Sequence, residues 1–191
     1  MDKKTAMSEQ TKLQLKEAFL ELYAGGGMSD VTVGALTKKA GYNRCTFYNH
    51  YEDLQSILCE IEDDVIEQIQ TKLEYIFADG ILKNIDTIFS ETLCAFEEYG
   101  NTLYILLRKN GSAAFRQKLQ KTTKNNFREL FKLSVNDEQL EYILTFLFSA
   151  GLGLIEHWYE TEKKYSTEEF LKLSQSLIAN GVLGQSQNNV N

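Results

Sequence analysis

Apolar residues recur every three to four positions along most of the chain, which is the spacing of amphipathic α-helices. The first stripe includes Leu15, Phe19 and Leu22, and it ends at three consecutive glycines, residues 25–27. A second stripe starts at Leu54 and continues for more than 20 residues, which indicates one long helix. The sequence has no alternating strand pattern and no internal repeat. It therefore predicts an all-α protein of about nine helices.

Glycine and polar residues mark the ends of the later helices. The pattern predicts breaks at Gly100 and at Asn110-Gly111, and a capping box at Ser166 to Glu169 starts the last helix, which ends near Gly181. Residues 1–52 are predicted to form an N-terminal unit, 53–183 a helical domain, and 184–191 a polar, disordered tail. The later helices are expected at about 81–99, 101–109, 112–132, 136–162 and 166–181.

Residues 31–54, VTVGALTKKAGYNRCTFYNHYEDL, combine two short helical segments with many hydrogen-bonding side chains. Thr32 is suited to cap the first segment, which Gly41 ends, and Asn43 is suited to cap the second, through about His50. Two short helices joined by a tight glycine turn form a helix-turn-helix. In that motif the second helix lies in the DNA major groove.

Side-chain chemistry divides the candidate DNA contacts into two groups. The fork of Arg44 matches guanine O6 and N7 in the major groove, and hydroxyls suit phosphate contacts that set the register. Phe47 and Tyr51 are better explained as apolar anchors of the short helix. Base contacts are predicted for Asn43, Arg44, Cys45 and Asn49, and phosphate contacts for Thr32, Thr46, Tyr48 and His50.

Net charge is −7, but its distribution favours one end of the chain for nucleic acid. Residues 1–50 hold seven Lys and Arg against five Asp and Glu, whereas the remainder holds 13 against 22. Only the N-terminal quarter can approach a phosphate backbone without net repulsion.

Composition excludes several other classes of protein. The three cysteines show no CxxC spacing and the two histidines lie 107 positions apart, so we expect no metal, no cofactor, and thiols that are buried or half-buried.

The most apolar window, residues 142–155, has 14 residues, whereas a membrane span needs about 18. The first 26 residues lack the features of a signal peptide. We expect a cytoplasmic protein without a membrane segment, and the absence of catalytic motifs predicts that it is not an enzyme.

Residues 8–60 resemble the DNA-binding domain of TetR-family transcriptional regulators. The resemblance is carried by "VTVGALTKKAG" and "YNRCTFYNHYEDL", followed by a long fourth helix. The segments "YILTFLFSAGLGLIEHW" and "YSTEEFLKLSQSLIANG" are similar to C-terminal domains of such regulators from low-GC Gram-positive bacteria. The resemblance implies a repressor that binds double-stranded operator DNA, dimerises through its last two helices, and is released by a small-molecule effector.

The C-terminal domain offers candidates for the dimer interface and for the effector site. The window 142–155 is apolar nearly all round, so it needs burial on more than one face, which a second protomer can supply. Aromatic residues at helical spacing can line an effector pocket or belong to an ordinary core. The pocket candidates are Phe89, Phe96, Tyr104, Phe148 and Trp158, with His157 or Glu156 as a polar contact.

A different class of function stays open from the sequence. Leu54 stands where the family often has a lysine, and Gly34 stands where it usually has a polar residue. The net negative charge of the chain and Leu54 are the evidence for this alternative, a protein-interaction module or coactivator that keeps the fold and works through a protein partner. A basic helix face, either solvated or a docking surface for an acidic partner, is predicted from Arg116, Lys121, Lys124, Arg128 and Lys132.

Overall fold

The computed structural model describes the backbone of residues 3–78, 85–131 and 137–188. These parts of the chain are helical and contain no strand, which confirms the predicted all-α class. Side chains are described for residues 5–72, 74, 94–95, 97–125, 138–177 and 180–181.

Eight α-helices follow one another in the described parts of the chain, and a short 3-10 helix, Gly27–Asp30, follows the first. Following the sequence prediction, we call the first three helices and the start of the fourth the N-terminal unit, and the rest the helical domain. The helices are α1 Lys3–Gly26, α2 Val33–Ala40, α3 Arg44–Tyr48, α4 Leu54–Ala78, α5 Ile85–Leu107, α6 Ala113–Phe131, α7 Asp137–Glu160 and α8 Thr167–Asn188.

The predicted break at Gly100 is wrong, and it accounts for the difference between about nine predicted helices and the eight observed in residues 3–78, 85–131 and 137–188. Helix α5 runs through Gly100, which is itself buried. A single helical glycine costs only about 1 kcal/mol relative to alanine, and burial of the following Leu103, Leu106 and Leu107 offsets that cost. The predicted break at Asn110-Gly111 is confirmed, because two turn-forming residues precede Ser112, whose Oγ accepts from the backbone N–H of Phe115 at 3.1 Å.

The N-terminal unit is built around side chains that are completely excluded from solvent. Leu15 and Phe19 of α1, Leu36 of α2, Phe47 of α3 and Ile57 of α4 are all 0% exposed and belong to one cluster. The stripe read from α1 is therefore the face that packs on the helix-turn-helix. Burying each such side chain stabilises the fold by about 1.5–3 kcal/mol.

Ion pairs tie α1 to α4 on the outside of this core. The ammonium of Lys16 lies 2.8 Å from a carboxylate oxygen of Glu60 and 2.6 Å from one of Asp64. Lys12 lies 3.1 Å from the same oxygen of Glu60. These contacts fix the start of the long α4 relative to the helix that supports the helix-turn-helix.

The C-terminal end of α1 also contacts the turn between α5 and α6. Nη2 of Arg108 donates a 2.7 Å hydrogen bond to the carbonyl oxygen of Tyr23. Glu62 of α4 is buried, as are Ile61 and Val65 of the same helix. Oε1 of Glu62 has no hydrogen-bond partner among the described residues. The N-terminal unit and the helical domain thus share a packed junction.

Helix α7 has one face inside the domain and one face in solvent. Leu144 and Leu152 are buried, whereas Tyr142 and Phe146 are 72% and 69% exposed. By length and composition alone, residues 138–160 could cross a membrane, yet only 17% of that apolar window is buried within one chain. A single helix of this kind is weak evidence for a membrane span, because helices of soluble proteins pass the same test of length and composition.

The chain returns from α7 to α8 through a tight turn with an apolar cluster beside it. Trp158 stacks on Phe170 with ring centroids 4.6 Å apart, and its Nε1 donates to the carbonyl oxygen of Tyr165 at 2.8 Å. The predicted capping box is confirmed: the backbone N–H of Ser166 donates to Glu169 at 2.8 Å, and that of Glu169 donates to Ser166 Oγ at 3.2 Å.

Two further expectations differ from the structure. Helical geometry breaks at Gly181, as predicted, but helical backbone then continues to Asn188, within the segment 184–191 predicted as a disordered tail. The expectation of buried or half-buried thiols is wrong, because Cys45, Cys59 and Cys94 are all exposed. Cys59 follows the buried Ile57 and Leu58 and so lies on the outer side of α4.

Candidate nucleic-acid interface and ligand cavity

Local capping defines the two helices of the motif. Oγ1 of Thr32 accepts a 3.1 Å hydrogen bond from the backbone N–H of Ala35 and so caps α2. Gly41 ends α2 in the left-handed conformation, with φ of 76°, which glycine adopts at no steric cost. Oδ1 of Asn43 accepts a 2.8 Å bond from the backbone N–H of Thr46 and caps α3. The predicted caps are confirmed.

Helix α3 is held by aromatic side chains on its inner side. Phe47 is 0% exposed and Tyr51 is 4% exposed, with ring centroids 5.8 Å apart. Both are the anchors that the sequence predicts. Because α3 has only five residues, fixing Phe47 and Tyr51 determines which of its side chains face outward.

The outer side of α3 and the residue that follows it carry three of the four residues predicted to read bases, together with Tyr48, which is predicted to contact phosphate. Arg44, Cys45 and Asn49 are exposed, and Tyr48 is 59% exposed beside the ring of Phe47. Side chains that can donate, accept and stack are thus brought together on one solvent-facing surface. This surface has the hydrogen-bonding capacity that major-groove contacts require.

Arg44 folds back toward the first residues of α2. A Cβ placed on Gly34 would lie 3.1 Å from Nη2 of Arg44 and 3.9 Å from its Cζ. The glycine that departs from the family pattern therefore leaves room for the guanidinium. This placement supplies a reason for Gly34 that the sequence does not reveal.

The remaining predicted DNA contacts lie at the edges of α2 and α3. Thr46 is half-buried and its hydroxyl lies 3.2 Å from Oδ1 of Asn43, so the capping oxygen of Asn43 is used twice. The amide NH2 group of Asn43 is the part that can donate to a phosphate or a base. His50 is half-buried at the end of α3, and its backbone N–H donates to Phe47. Thr32 is exposed at the start of α2.

The start of α4 is not built to attract a phosphate. Leu54 is half-buried against the apolar core. Oδ1 of Asp53 accepts from the backbone N–H of Ser56 at 2.7 Å, and Oγ of Ser56 accepts from that of Asp53 at 3.1 Å. An acidic side chain thus occupies the helix N-terminus, where a phosphate would otherwise be favoured.

Several basic residues of the N-terminal quarter already have acidic partners. Lys12 and Lys16 contact Glu60, and Lys39 lies 2.5 Å from Glu21. Part of the positive charge that the sequence offers for phosphate binding is therefore neutralised by ion pairs within the fold. Phosphate attraction depends more on α3 and on hydroxyl donors than the charge count suggests.

The helical domain contains an apolar cavity of about 230 Å³ between α5, α6 and α7. Its walls are mostly aliphatic: Leu103 and Leu107 from α5, Leu119 from α6, and Leu144, Leu147 and Ile155 from α7. Phe148 and Gly151 of α7 complete the apolar wall, and Thr123 and Lys124 of α6 contribute its polar atoms. The predicted ligand set contained Phe148 but none of the aliphatic residues, because leucines at helical spacing read as ordinary core.

Of the other predicted ligand residues, those whose side chains the structure describes do not line this cavity. Tyr104 stacks on Tyr159 with ring centroids 4.2 Å apart, and Trp158 is buried in the cluster with Phe170. His157 is exposed, and Glu156 lies 3.2 Å from Arg116. The side chains of Phe89 and Phe96 lie outside the described residues.

The predicted basic face of α6 is divided among acidic partners. Arg116 pairs with Glu156, Lys124 pairs with Glu141 at 2.7 Å, and Lys118 of the same helix pairs with Asp63 of α4. Lys121 is exposed, and the side chains of Arg128 and Lys132 lie outside the described residues. In the described part of this face, most basic side chains therefore form ion pairs within the chain and do not make up an open basic surface.

Comparison with known families identifies the chain. Residues 83–180, just over half of its length, match the model of a TetR-type family described as "Transcriptional regulator C-terminal region". The chain belongs to the TetR family of transcriptional regulators. The resemblance to this family read from the sequence is thereby confirmed, and the matched residues include the C-terminal segments that carried it.

Solved structures share the fold of this TetR-family regulator at low sequence identity. A TetR regulator from Streptococcus agalactiae 2603V has a TM-score of 0.61 at 20% identity, covering 92% of this chain and 97% of that one. FadR from Bacillus subtilis, in complex with stearoyl-CoA, has a TM-score of 0.65 at 17% identity, and the match covers 89% of this chain and 98% of that one. FadR from Thermus thermophilus, a repressor in complex with lauroyl-CoA, has a TM-score of 0.56 at 16% identity, and the match covers 90% of this chain and 94% of that one.

Proposed function

We propose that this TetR-family regulator binds double-stranded operator DNA in a sequence-specific manner and represses transcription. The observation that carries the proposal is the construction of α3: Phe47 and Tyr51 are buried, while Arg44, Cys45 and Tyr48 face solvent. Arg44 and Asn49 are the principal base contacts, with Asn43 and Cys45 beside them. Thr32, Thr46, Tyr48 and His50 contact phosphates and set the register. The protein acts in the cytoplasm, where its operator lies.

The active form is a homodimer joined through α7 and α8. The exposed aromatic side chains of Tyr142 and Phe146 support this arrangement, because large apolar groups on a helix face are stabilised when a partner covers them. A two-fold dimer places its two α3 helices in major grooves about 34–36 Å apart, or a multiple of that spacing. The operator is therefore expected to be palindromic.

A small molecule bound in the helical domain releases the regulator from DNA. The apolar cavity between α5, α6 and α7 supports this part of the proposal, and so do the acyl-CoA ligands in the two FadR structures. The effector is expected to carry an aliphatic portion, because aliphatic side chains make up most of the cavity wall. No enzymatic step is needed for this role.

The proposal is tested by measuring binding to fluorescent DNA fragments from around the protein's own gene. Shuffled fragments of the same composition serve as the control, at about 50 and 200 mM salt. Preference for one fragment, with affinity that falls steeply as salt rises, supports a sequence-specific regulator. Equal, weak binding to all fragments would favour the alternative of an interaction module that works through a protein partner.

A further inference from the structure

Two cavities of opposite character meet at Lys124. On one side lies the apolar cavity of about 230 Å³. On the other lies an open polar cleft of about 370 Å³ between α6 and α7, lined by Gln117, Gln120, Lys121, Lys124, Asn125 and Glu141. Lys124 lines both. Its aliphatic stem thus borders the apolar space, while its ammonium group reaches the polar one.

The present partner of Lys124 is easily replaced. The ammonium group lies 2.7 Å from Oε2 of Glu141, and the two side chains are 22% and 46% exposed. Because Glu141 is nearly half exposed, water can take over its solvation when the ion pair opens. Lys124 is less exposed and beside an apolar wall, so it needs an anionic partner more than Glu141 needs a cation.

We propose that the two cavities form one binding site for an anionic amphiphile, whose aliphatic chain fills the apolar cavity and whose carboxylate or phosphate head replaces Glu141 as the partner of Lys124. This inference rests on the proposed effector role and gives the effector its chemical class. Gln117, Gln120 and Asn125 line the polar cleft and are available to the oxygens of the head group. A neutral apolar ligand would use only half of the site.

The volume of the apolar cavity limits the length of the chain. Pockets for drug-sized ligands enclose about 300–1,000 Å³, and this one is smaller. Each methylene that enters apolar surroundings should tighten binding roughly fourfold. Affinity is therefore expected to rise along a series of straight-chain carboxylates and to stop rising once the chain exceeds the cavity.

The first test uses the unmodified full-length protein in the absence of DNA. Isothermal titration calorimetry measures binding of carboxylates from hexanoate to dodecanoate, below their micellar concentrations, and of the primary alcohols of equal length. We expect each carboxylate to bind at least tenfold more tightly than its matched alcohol. Octyl phosphate, measured beside octanoate, identifies which anionic head fits the cleft better. No saturable binding by either anion, or affinities of octanoate and octyl phosphate no higher than that of octanol, would overturn the proposal.

Substitutions then test the two halves of the site separately. Lys124→Met keeps an unbranched side chain, one atom shorter, and removes its charge, so it should weaken octanoate binding at least tenfold and leave octanol unchanged. Lys172→Met is the matched control, because Lys172 forms a similar Lys–Glu pair with Glu168 on the exposed surface of α8. Octanoate affinity that survives Lys124→Met, or that falls equally with Lys172→Met, would contradict the assignment.

Gly151 offers a way to fill the apolar half without a clash. A Cβ on Gly151 meets no atom within 4 Å, and the residue lines the cavity. Gly151→Leu should therefore abolish binding of octanoate and octanol alike, while Gly151→Ala, with a similar gain in helix propensity, should retain most of it. Equal binding by both variants would mean that the chain lies elsewhere. Thermal melts of each variant verify folding.

Failure of this inference is distinguishable from failure of the proposed function. Lys124-dependent binding of octanoate by a protein without operator preference would leave the site standing and remove the DNA role. Operator binding by a protein that ignores all the anionic amphiphiles would do the reverse.

Discussion

The guanidinium group of Arg44 lies over Gly34, so close that a Cβ at position 34 would come within 3.1 Å of Nη2. The two residues belong to different helices of the motif, so the side chain that we propose to read bases lies against the helix that supports α3. An alanine at position 34 would force the guanidinium to move by a few tenths of an ångström.

Gly34→Ala is therefore expected to separate stability from DNA binding. It should raise the free energy of unfolding by up to about 1 kcal/mol, because alanine favours helix over glycine. It should also weaken binding to the preferred DNA fragment while leaving binding to shuffled DNA unchanged. Urea denaturation and fluorescence anisotropy measure the two effects.

The control is the same substitution in an Arg44→Ala background, which completes a double-mutant cycle. Without the guanidinium, the methyl group at position 34 meets no close neighbour from Arg44, so the effect on specific binding should disappear. An undiminished effect would show that Gly34 acts on DNA binding by another route.

Glu62 is expected to destabilise the protein at neutral and higher pH. Burial raises the pKa of Glu62 above its usual value of 4.5, with a smaller opposing effect from a hydrogen bond with Ser112. The folded state therefore holds the proton more tightly, and this contribution to stability is lost as pH rises from about 4.5 through the folded-state pKa. Glu62→Gln should be more stable than the original protein above that range, and the difference should vanish at lower pH. The exposed Glu67→Gln serves as the control in urea denaturation across pH.

Glu60, two residues earlier on α4, is expected to behave in the opposite way. Burial by itself raises its pKa, but hydrogen bonds and charges from Lys16 and Lys12 outweigh burial, so the pKa lies below 4.5. Its contribution to stability is thus present above pH 4.5 and is lost as pH falls through the folded-state pKa. Glu60→Gln should cost up to about 1 kcal/mol at pH 7, since the pair is partly solvated. A cost that persists undiminished in acid would contradict the ion-pair explanation.

Phe146→Glu should convert the proposed dimer into a monomer. The side chain is 69% exposed on α7, and a charge there would be buried without a partner in the proposed interface. Light scattering coupled to size-exclusion chromatography measures the mass directly. Met7→Glu, which changes a residue of similar exposure on α1, should leave the mass unchanged. A dimer that tolerates Phe146→Glu would place the interface elsewhere.

Local signals in the sequence predict much of the fold, because they describe interactions between near neighbours. Thr32, Asn43 and Ser166 cap helices as predicted, since each needs only a backbone N–H a few residues away. The predicted break at Gly100 is wrong because one glycine is a weak signal, and tertiary burial overrides it. Two consecutive turn formers, Asn110 and Gly111, are a stronger signal, and the boundary predicted from them is confirmed.

Features that depend on the separation of helices could not be predicted. The apolar cavity is lined by leucines from three helices, and the same spacing would describe a filled core. Trp158 was predicted to line a ligand pocket, but its indole N–H is satisfied by Tyr165, across a turn whose geometry the sequence does not fix. The role of Gly34 likewise depends on where the side chain of Arg44 folds.

The most direct test of the account compares Arg44→Ala with Tyr48→Phe on the preferred operator fragment and on shuffled DNA. Arg44→Ala should cost about 1–3 kcal/mol on the operator and much less on shuffled DNA, because it removes a base contact. Tyr48→Phe, which removes a phosphate contact, should weaken binding to both by the same factor. An equal loss on both DNAs for Arg44→Ala would contradict the claim that α3 reads the sequence.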